Sequence, residues 1–365
     1  MPLIHKRLLR VIVCGILVML SLVTVAAQEA TPAVVAETLP PYFLLTGFTY
    51  EPQMWNNCGP ATLTMGLSYF GYADNQVRAA NWLKPDPEDK NVSPWQMVEF
   101  VNTQVPEIPV YALYRYGGTL DMVKRLLYHG FPVIIEEGYD PPRAHQGWMG
   151  HYLLIVGYDD GRQLVTTYDS YDGQGMQYSY DHIQEFWQDF NYTYLVLYEF
   201  DRQAELMDLL GEEADEYTNL IHTLEIAQAE ATADGADANA WFNMGSALVL
   251  IADKLDQDLY YQNAALAYDR ARNLGLPWRI TWYQFGIYEA YLHTGRNQDV
   301  LDLVASVLND GGGQYVEESY YYAGLAREAM GETQRAIENY DMVLSFNPNF
   351  TPARERRAAL LGTSG

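Results

Sequence analysis

The sequence is poor in cysteine and in basic residues. Among 365 residues, two are cysteine, and 22 Lys and Arg stand against 47 Asp and Glu, which gives a formal net charge of −25. This excess of acid argues against nucleic acid or an anionic membrane surface as a partner. No glycine-rich phosphate loop is present, and the Asp-containing segments 159–161 and 169–173 lack the alternating ligands and distal Glu of a calcium loop. We therefore expect no metal and no other cofactor.

Residues 1–27 have the pattern of a signal peptide. Three basic residues precede an apolar run at 11–25, and small residues follow where cleavage would fall. The run is short for a membrane span, so membrane contact is expected only if the segment is not cleaved. Cleavage would remove Cys14 and leave Cys58 as the one cysteine, which in an exported protein indicates a free reactive thiol. We expect an extracytoplasmic protein, either secreted or in the cell envelope.

Cys58 stands at the start of an expected helix. Pro60 suits a first helical turn, and apolar residues at helical spacing follow over 61–69, before Gly71. The unpaired N–H groups and positive dipole of a helix N-terminus favour a thiolate, which is the nucleophilic form of cysteine. Gln53, five residues upstream, can offer its amide to an oxyanion. By itself, however, a cysteine before a helix is more often a buried structural residue.

A predicted hairpin supplies two further candidates. Residues 151–158 and 163–168 have strand patterns, and Asp-Asp-Gly at 159–161 is a turn signal. A turn centred near Asp160 sets His151 opposite Asp169, and opposite residues have Cβ atoms roughly 4.5 to 5.5 Å apart. A carboxylate at that position could orient the imidazole. A register shift of one or two residues leaves Asp172 as an alternative.

The order of these residues resembles the papain-like cysteine peptidases, and more closely the bacteriocin-processing (double-glycine leader) peptidases and their secreted relatives. In that family a Gln precedes a Cys-Gly pair that opens a helix, a His opens a strand, and Asn or Asp ends the next strand. Those places are taken here by Gln53, Cys58, His151 and Asp169. The resemblance implies a Cys58 nucleophile, a His151 base oriented by Asp169, and an oxyanion site formed by Gln53 and the Cys58 N–H.

Two departures from the family pattern accompany the resemblance. Ser170 stands where Pro is common, and Gln53 is one residue closer to the cysteine than in papain-type enzymes. Two other histidines are weaker candidates. His145, in a Pro- and Gly-containing loop, could line the site, whereas His129 is expected to close a helix, where the C-terminal dipole favours it.

From about residue 200 the pattern becomes that of amphipathic helices. Residues 320–348 match the tetratricopeptide pattern of an aromatic residue, a small pair, Gly, Ala, a second aromatic residue and Pro, and related units begin at Trp241 and Trp282. Each helix pair in such an array buries its apolar face against its neighbours, so the preceding helices are expected to cap it. A protein partner, if the repeats bind one, is expected on their concave groove.

Together these patterns predict a signal peptide at 1–27, a linker at 28–46, an α+β papain-like peptidase domain at 47–200, connecting or capping helices at 201–235, and an all-α tetratricopeptide-repeat solenoid at 236–362. The expected activity is that of an exported cysteine peptidase, acting on a protein or peptide substrate. Two alternatives stay open. One is an amidase or transglutaminase-type acyl transferase with the same triad, and the other is a binding protein whose repeats act beside an inert papain-like scaffold.

Overall fold

The computed structural model describes residues 38–140 and 147–363. The predicted signal peptide, most of the predicted linker and His145 lie outside the described residues. Within them, no helix combines the length and the apolar character that crossing a membrane requires. The described residues from Leu39 onward form one compact unit.

Strands and helices are interspersed through the first half of the described chain, which confirms the predicted α+β organisation. Its strands are β1 (Tyr42–Leu44), β2 (Val110–Arg115), β3 (Val133–Tyr139), β4 (Met149–Asp159), β5 (Leu164–Asp169), β6 (Gly173–Ser179) and β7 (Tyr194–Glu199). Its helices are α1 (Cys58–Ser68), α2 (Gln76–Leu83), α3 (Pro94–Gln104), α4 (Leu120–Tyr128) and α5 (Tyr180–Gln188).

The strands form one antiparallel sheet whose order among the described residues is β2-β7-β3-β4-β5-β6, with β1 paired to β4. Both faces of its centre are apolar and buried. Leu154 and Val156 belong to the core that α1 and α3 cover, and Leu153 and Ile155 belong to the core that α4 and α5 cover. Helix α1 lies so close to the sheet that a Cβ atom at Gly66 would come within 2.6 Å of the Leu197 side chain. The sheet therefore fixes the position of α1, whose first residue is Cys58.

The pairing of β4 with β5 differs from the predicted register. Asp169 pairs with Leu153, so the prediction that it lies directly opposite His151 is wrong. The reason is local: the turn occupies residues 160–163, and the register shifts again between Ile155 and Gly157. His151 lies two residues beyond Leu153 on β4, and diagonal neighbours on one face of a sheet remain within reach of long side chains.

After β7 every regular element of the described chain is a helix, and loops connect these helices. The helices are α6 (Gln203–Leu210), α7 (Glu216–Ala233), α8 (Ala238–Leu255), α9 (Asp258–Leu274), α10 (Gly286–His293), α11 (Asn297–Leu308), α12 (Glu317–Ala329), α13 (Thr333–Phe346) and α14 (Thr351–Leu361). This confirms an all-helical second half, here called the helical region (residues 203–361). Its assignment to tetratricopeptide repeats stays a prediction, as do the predicted domain boundaries.

The helical region contacts the sheet-containing half of the described chain at several places, among them the end of α2 and the start of β4. At the end of α2, Asn347 Nδ2 donates a hydrogen bond of 3.2 Å to the Leu83 carbonyl. At the start of β4, Arg279 Nη1 donates one of 3.2 Å to the Trp148 carbonyl. Trp148 is three residues from His151, so the second contact brings the helical region to the edge of the candidate site.

Candidate active site

The thiol of Cys58 stands at the N-terminus of α1 and is partly exposed. Asn57 is the N-cap residue, but its side chain does not cap the helix, and the first turn holds no acidic residue. The first backbone N–H groups of a helix have no partner within it, and together with the helix dipole they favour negative charge at this end. Cys58 is therefore the first residue at the end of α1 where the helix dipole is positive.

A buried glutamine, Gln76, holds the loop before Cys58 in shape. Its Oε1 accepts hydrogen bonds from the Met54 N–H at 2.7 Å and from Asn57 Nδ2 at 3.1 Å, and its Nε2 donates to the Pro52 carbonyl at 2.8 Å. The sequence analysis did not single out Gln76. The available signal was weak: a polar residue directly after Asn75, which caps α2.

His151 and Asp169 form a buried pair. His151 Nε2 lies 3.0 Å from Asp169 Oδ1, and the two residues are 3% and 0% exposed. The same oxygen accepts the N–H groups of Tyr171 at 2.8 Å and Asp172 at 3.0 Å, while Oδ2 accepts the Tyr178 hydroxyl at 2.7 Å. Burial alone would raise the pKa of Asp169, but the His151 charge and these hydrogen bonds outweigh it and hold the pKa well below its usual range.

The other side of the His151 ring meets Cys58. Burial lowers the pKa of His151, but the charge and hydrogen bond of Asp169, together with a hydrogen bond and charge from Cys58, raise it well above its ordinary value. Since Nε2 faces Asp169, Nδ1 is the nitrogen available to the Cys58 sulfur. The ring of Tyr139 lies against the imidazole, with centroids 4.9 Å apart, and limits its rotation.

Gln53 contacts the residue that follows Asp169. Its backbone N–H donates to the Ser170 carbonyl at 2.8 Å, and its side-chain Oε1 accepts the Ser170 hydroxyl at 2.9 Å. Because the hydroxyl occupies the oxygen end of the amide, the amide donor, Nε2, points away from Ser170. Ser170, the residue that departs from the family pattern, thus takes part in placing Gln53.

Asp172, the alternative partner for His151, has a different contact. Its Oδ2 accepts the Tyr139 hydroxyl at 2.7 Å and lies 3.4 Å from that of Tyr178. The geometry therefore pairs Asp169, not Asp172, with the imidazole.

Two buried glutamates on β3 lie next to the site and were missed by the sequence analysis. Glu137 pairs with His151 and Glu136 pairs with Tyr152 in the β3–β4 ladder. Burial raises the pKa of Glu137 to about 8, with the His151 charge lowering it and the Asp169 charge raising it. Burial also raises the pKa of Glu136 well above its ordinary value, and the charge of Cys58 raises it further. The signal that could have found them is a Glu-Glu pair that continues the apolar run 133–135 inside one strand.

Comparison with known proteins bears on the sheet-containing half. Residues 45–196 match the model of the family described as "Peptidase_C39 like family". Residues 45–196 form a peptidase C39-like domain. A crystal structure described as a "putative C39-like peptidase from Bacillus anthracis" is similar over 43% of this chain and 97% of that chain, with 14% sequence identity and a TM-score of 0.35. No curated protein matches the chain.

The C39-like domain contains the four residues predicted for the site. The structure brings together Cys58, His151 and Asp169, and it places Gln53 beside Ser170, next to Asp169. Their catalytic roles stay a prediction. Within the described ranges, no group of three or more His, Cys, Asp or Glu side chains is arranged to hold a metal ion.

Proposed function

We propose that this protein is a cysteine peptidase whose triad is Cys58, His151 and Asp169. The observation that carries the proposal is the position of the His151 ring, between a fully buried carboxylate at 3.0 Å and the sulfur at a helix N-terminus. A matching C39-like domain makes a peptide or protein the expected substrate.

The arrangement supports acyl transfer in two stages. The Cys58 sulfur attacks the carbonyl carbon of the substrate while His151 holds the proton of the thiol, and Asp169 stabilises the resulting imidazolium. The Cys58 N–H and Gln53 Nε2 stabilise the oxyanion. The C–N bond then breaks as His151 protonates the leaving amine, which leaves a thioester. Water, deprotonated by His151, attacks that thioester, releases the carboxylic acid and restores the thiol.

A peptide-library digest tests this function. We expect wild-type protein to cleave a subset of peptides and Cys58→Ser to lose cleavage on the order of 10⁴-fold or more. We also expect iodoacetamide to label native Cys58 faster than a model thiol, and His151→Ala to remove that advantage. Equal labelling rates in the folded wild type and His151→Ala, together with no cleavage in the digest, would instead support a binding protein on an inert scaffold.

The acceptor of the acyl group is decided by the same digest with a primary amine added. Peptidase activity predicts hydrolysed products whose yield the amine does not change. Amine-labelled or cross-linked products formed at the expense of hydrolysis would assign the triad to an acyl transferase.

We propose further that the helical region is a tetratricopeptide-type array that recruits the protein substrate. Three successive helix pairs, α8 with α9, α10 with α11 and α12 with α13, support this, followed by α14. In the first and third pairs a glycine of one helix faces a tyrosine ring of the next: a Cβ at Gly245 would lie 2.9 Å from Tyr268, and one at Gly324 would lie 2.5 Å from Tyr340. Recruitment predicts a lower KM for a whole protein substrate than for a peptide that spans its cleaved bond, with similar kcat.

Export is proposed from the sequence pattern of residues 1–27. Expression in a host with a secretion system, followed by N-terminal sequencing of the envelope and medium fractions, tests it. The expected product begins near Gln28. Recovery of the protein only from the cytosol, with residues 1–27 intact, would contradict export.

A further inference from the structure

A buried lysine lies next to the loop that leads into the proposed nucleophile. Lys84, the C-cap residue of α2, is 3% exposed. Its Nζ donates hydrogen bonds of 3.4 Å to Asn57 Oδ1 and 3.2 Å to the Pro87 carbonyl. Burial lowers the pKa of Lys84, and the charge of Asp89 opposes that shift only in part. Because a buried ammonium group costs free energy, packing alone does not explain a lysine at this position.

Lys84 and Gln76 together hold both ends of the Asn57 amide. Lys84 binds the amide oxygen, and Asn57 Nδ2 donates to Gln76 Oε1 at 3.1 Å. Asn57 is only 6% exposed, so water competes little for either contact. The Asn57 N–H donates to the Met54 carbonyl at 3.1 Å and closes the turn before α1. Two partners outside α1 therefore fix the orientation of the Asn57 side chain.

These two contacts keep Asn57 from capping α1. An Asn at the N-cap position usually has an extended backbone, and its side-chain oxygen accepts the N–H of the second or third helical residue. Here Asn57 has φ −103° and ψ 25°, and its side chain makes no capping hydrogen bond. The third helical residue is Pro60, which has no N–H, so the N–H that a cap would bind belongs to Gly59. The Asn57 side chain thus leaves the N–H groups of Cys58 and Gly59 uncapped.

Uncapped N–H groups at this end of α1 serve the proposed chemistry. The Cys58 N–H is a proposed oxyanion donor, and the Gly59 N–H next to it adds positive potential. A capping oxygen on Gly59 would bind that N–H and place the negative end of an amide dipole near the sulfur. Capping would therefore oppose both negative charges of the reaction, that of the thiolate and that of the oxyanion.

We infer that Lys84 is a positioning residue of the candidate active site, which holds the Asn57 amide away from α1 and so keeps the N–H groups of Cys58 and Gly59 open to developing negative charge. Lys84 acts through Asn57, and this inference rests on the proposed peptidase function. The helical region supports the arrangement, because Asn347 Nδ2 donates to the carbonyl of the residue before Lys84.

The test compares three variants of the full-length protein, Lys84→Met, Asn57→Ala and the double variant, on the best peptide of the library digest. Lys84→Met keeps an unbranched side chain but frees the Asn57 oxygen to cap Gly59. We expect its kcat to fall about tenfold or more with little change in KM, because the affected donors act on the oxyanion. Asn57→Ala has no oxygen that can cap and should lose about threefold in kcat. The double variant should match Asn57→Ala and so be more active than Lys84→Met.

Comparison of Lys84→Met with the double variant separates positioning from folding. Both lack the lysine charge, so both carry the same loss of stability, and only the single variant retains an amide that can turn onto Gly59. A double variant that is no more active than Lys84→Met overturns the inference. Lys124→Met is the matched control, because Lys124 also has low exposure but pairs with Asp121 and Asp160. It should keep the wild-type kcat, and a loss equal to that of Lys84→Met would also overturn the inference.

A second readout does not depend on turnover. A crystal structure of Lys84→Met should show the Asn57 side-chain oxygen bound to the Gly59 N–H, and iodoacetamide should label Cys58 about threefold more slowly than in wild type. If wild type cleaves peptides through Cys58 but the Asn57 amide does not move in Lys84→Met, the inference fails and the proposed function stands. If the amide moves but no Cys58-dependent cleavage exists, the proposed function fails and the positioning role falls with it.

Discussion

The hydroxyl of Ser170 donates a hydrogen bond of 2.9 Å to Oε1 of Gln53, and this bond fixes which end of the Gln53 amide is the donor. If the amide could rotate by a half turn, its oxygen instead of its NH₂ group would face the oxyanion, and that oxygen would repel the developing negative charge.

Ser170→Ala is therefore expected to lower kcat by about tenfold with little change in KM, since the amide matters only when the oxyanion forms. Gln53→Ala should cost about 10²- to 10³-fold in kcat. Steady-state kinetics on the best peptide of the library digest checks both values. The double variant should be no worse than Gln53→Ala. A further loss in the double variant would show that Ser170 acts on something other than Gln53.

Replacement of Asp169 should separate it from the nearby Asp172. Asp169→Asn removes the charge that holds the imidazolium, and we expect kcat/KM to fall about 10²- to 10⁴-fold. Asp172→Asn is the matched control because Asp172 contacts Tyr139 and Tyr178 instead of His151, and its effect should stay within about fivefold. Equal losses in the two variants would contradict the assignment of Asp169 as the orienting residue.

The buried Glu137 should influence the pH dependence of activity. Its pKa is raised to about 8 by burial, and it pairs with His151 across the β3–β4 ladder. Ionised Glu137 adds negative charge beside the imidazolium of His151, so the imidazolium keeps its proton to higher pH. Glu137→Gln should lower the pKa of His151 and move the alkaline limb of the kcat/KM profile to lower pH. Glu99→Gln, on α3, is the control and should leave the profile unchanged.

A shift of the limb to higher pH in Glu137→Gln would contradict an electrostatic effect of Glu137 on His151. Titration of the His151 ring by NMR in a Cys58→Ala background gives an independent value for the same change.

Stability should also depend on pH through a buried acidic cluster where the two halves meet. Asp89 lies beside Glu317 and Glu318 of α12, and Asn91 Nδ2 donates to Glu318 at 3.1 Å. Burial raises the pKa of Asp89 to about 6, and burial with the Asp89 charge raises the pKa of Glu318 to about 8. Lys84 faces Asp89 as a buried cation.

Since the folded state raises these pKa values, it favours the protonated carboxyls. Their contribution to stability is present below the ordinary carboxyl pKa and is lost as pH rises through about 6 to 8. Glu318→Gln should remove part of this loss, on the order of 2 kcal/mol in the free energy of unfolding between pH 5 and pH 8. Urea unfolding at both pH values measures it. Exposed Glu338→Gln is the control, and an unchanged pH slope in Glu318→Gln would contradict the prediction.

Features that depend on neighbours in the chain could be predicted from the sequence. The helix at Leu120–Tyr128 follows the capping side chain of Thr119 and ends at His129, as the pattern indicates. The placement of Cys58 at a helix start is of the same kind, because Pro60 and the apolar spacing after it are local signals.

Features set by distant contacts could not be predicted in this way. Strand β6 contains Gly173 and Gly175 and lies at the sheet edge, so its strand state depends on pairing with β5. The exact register of β4 and β5 depends on a turn length and an irregularity that periodicity does not reveal. The predicted contact between His151 and Asp169 is nevertheless present, because the two side chains are long enough to meet across a diagonal offset of two residues.

The contact between the helical region and the start of β4 has a practical consequence for anyone who isolates the C39-like domain. Residues 45–196 expressed alone would lose Tyr283, whose ring packs against Trp148 and Phe190, and would turn those two rings toward water. Such a fragment would present apolar rings that the full-length chain covers, so it would aggregate more readily than the full-length protein does.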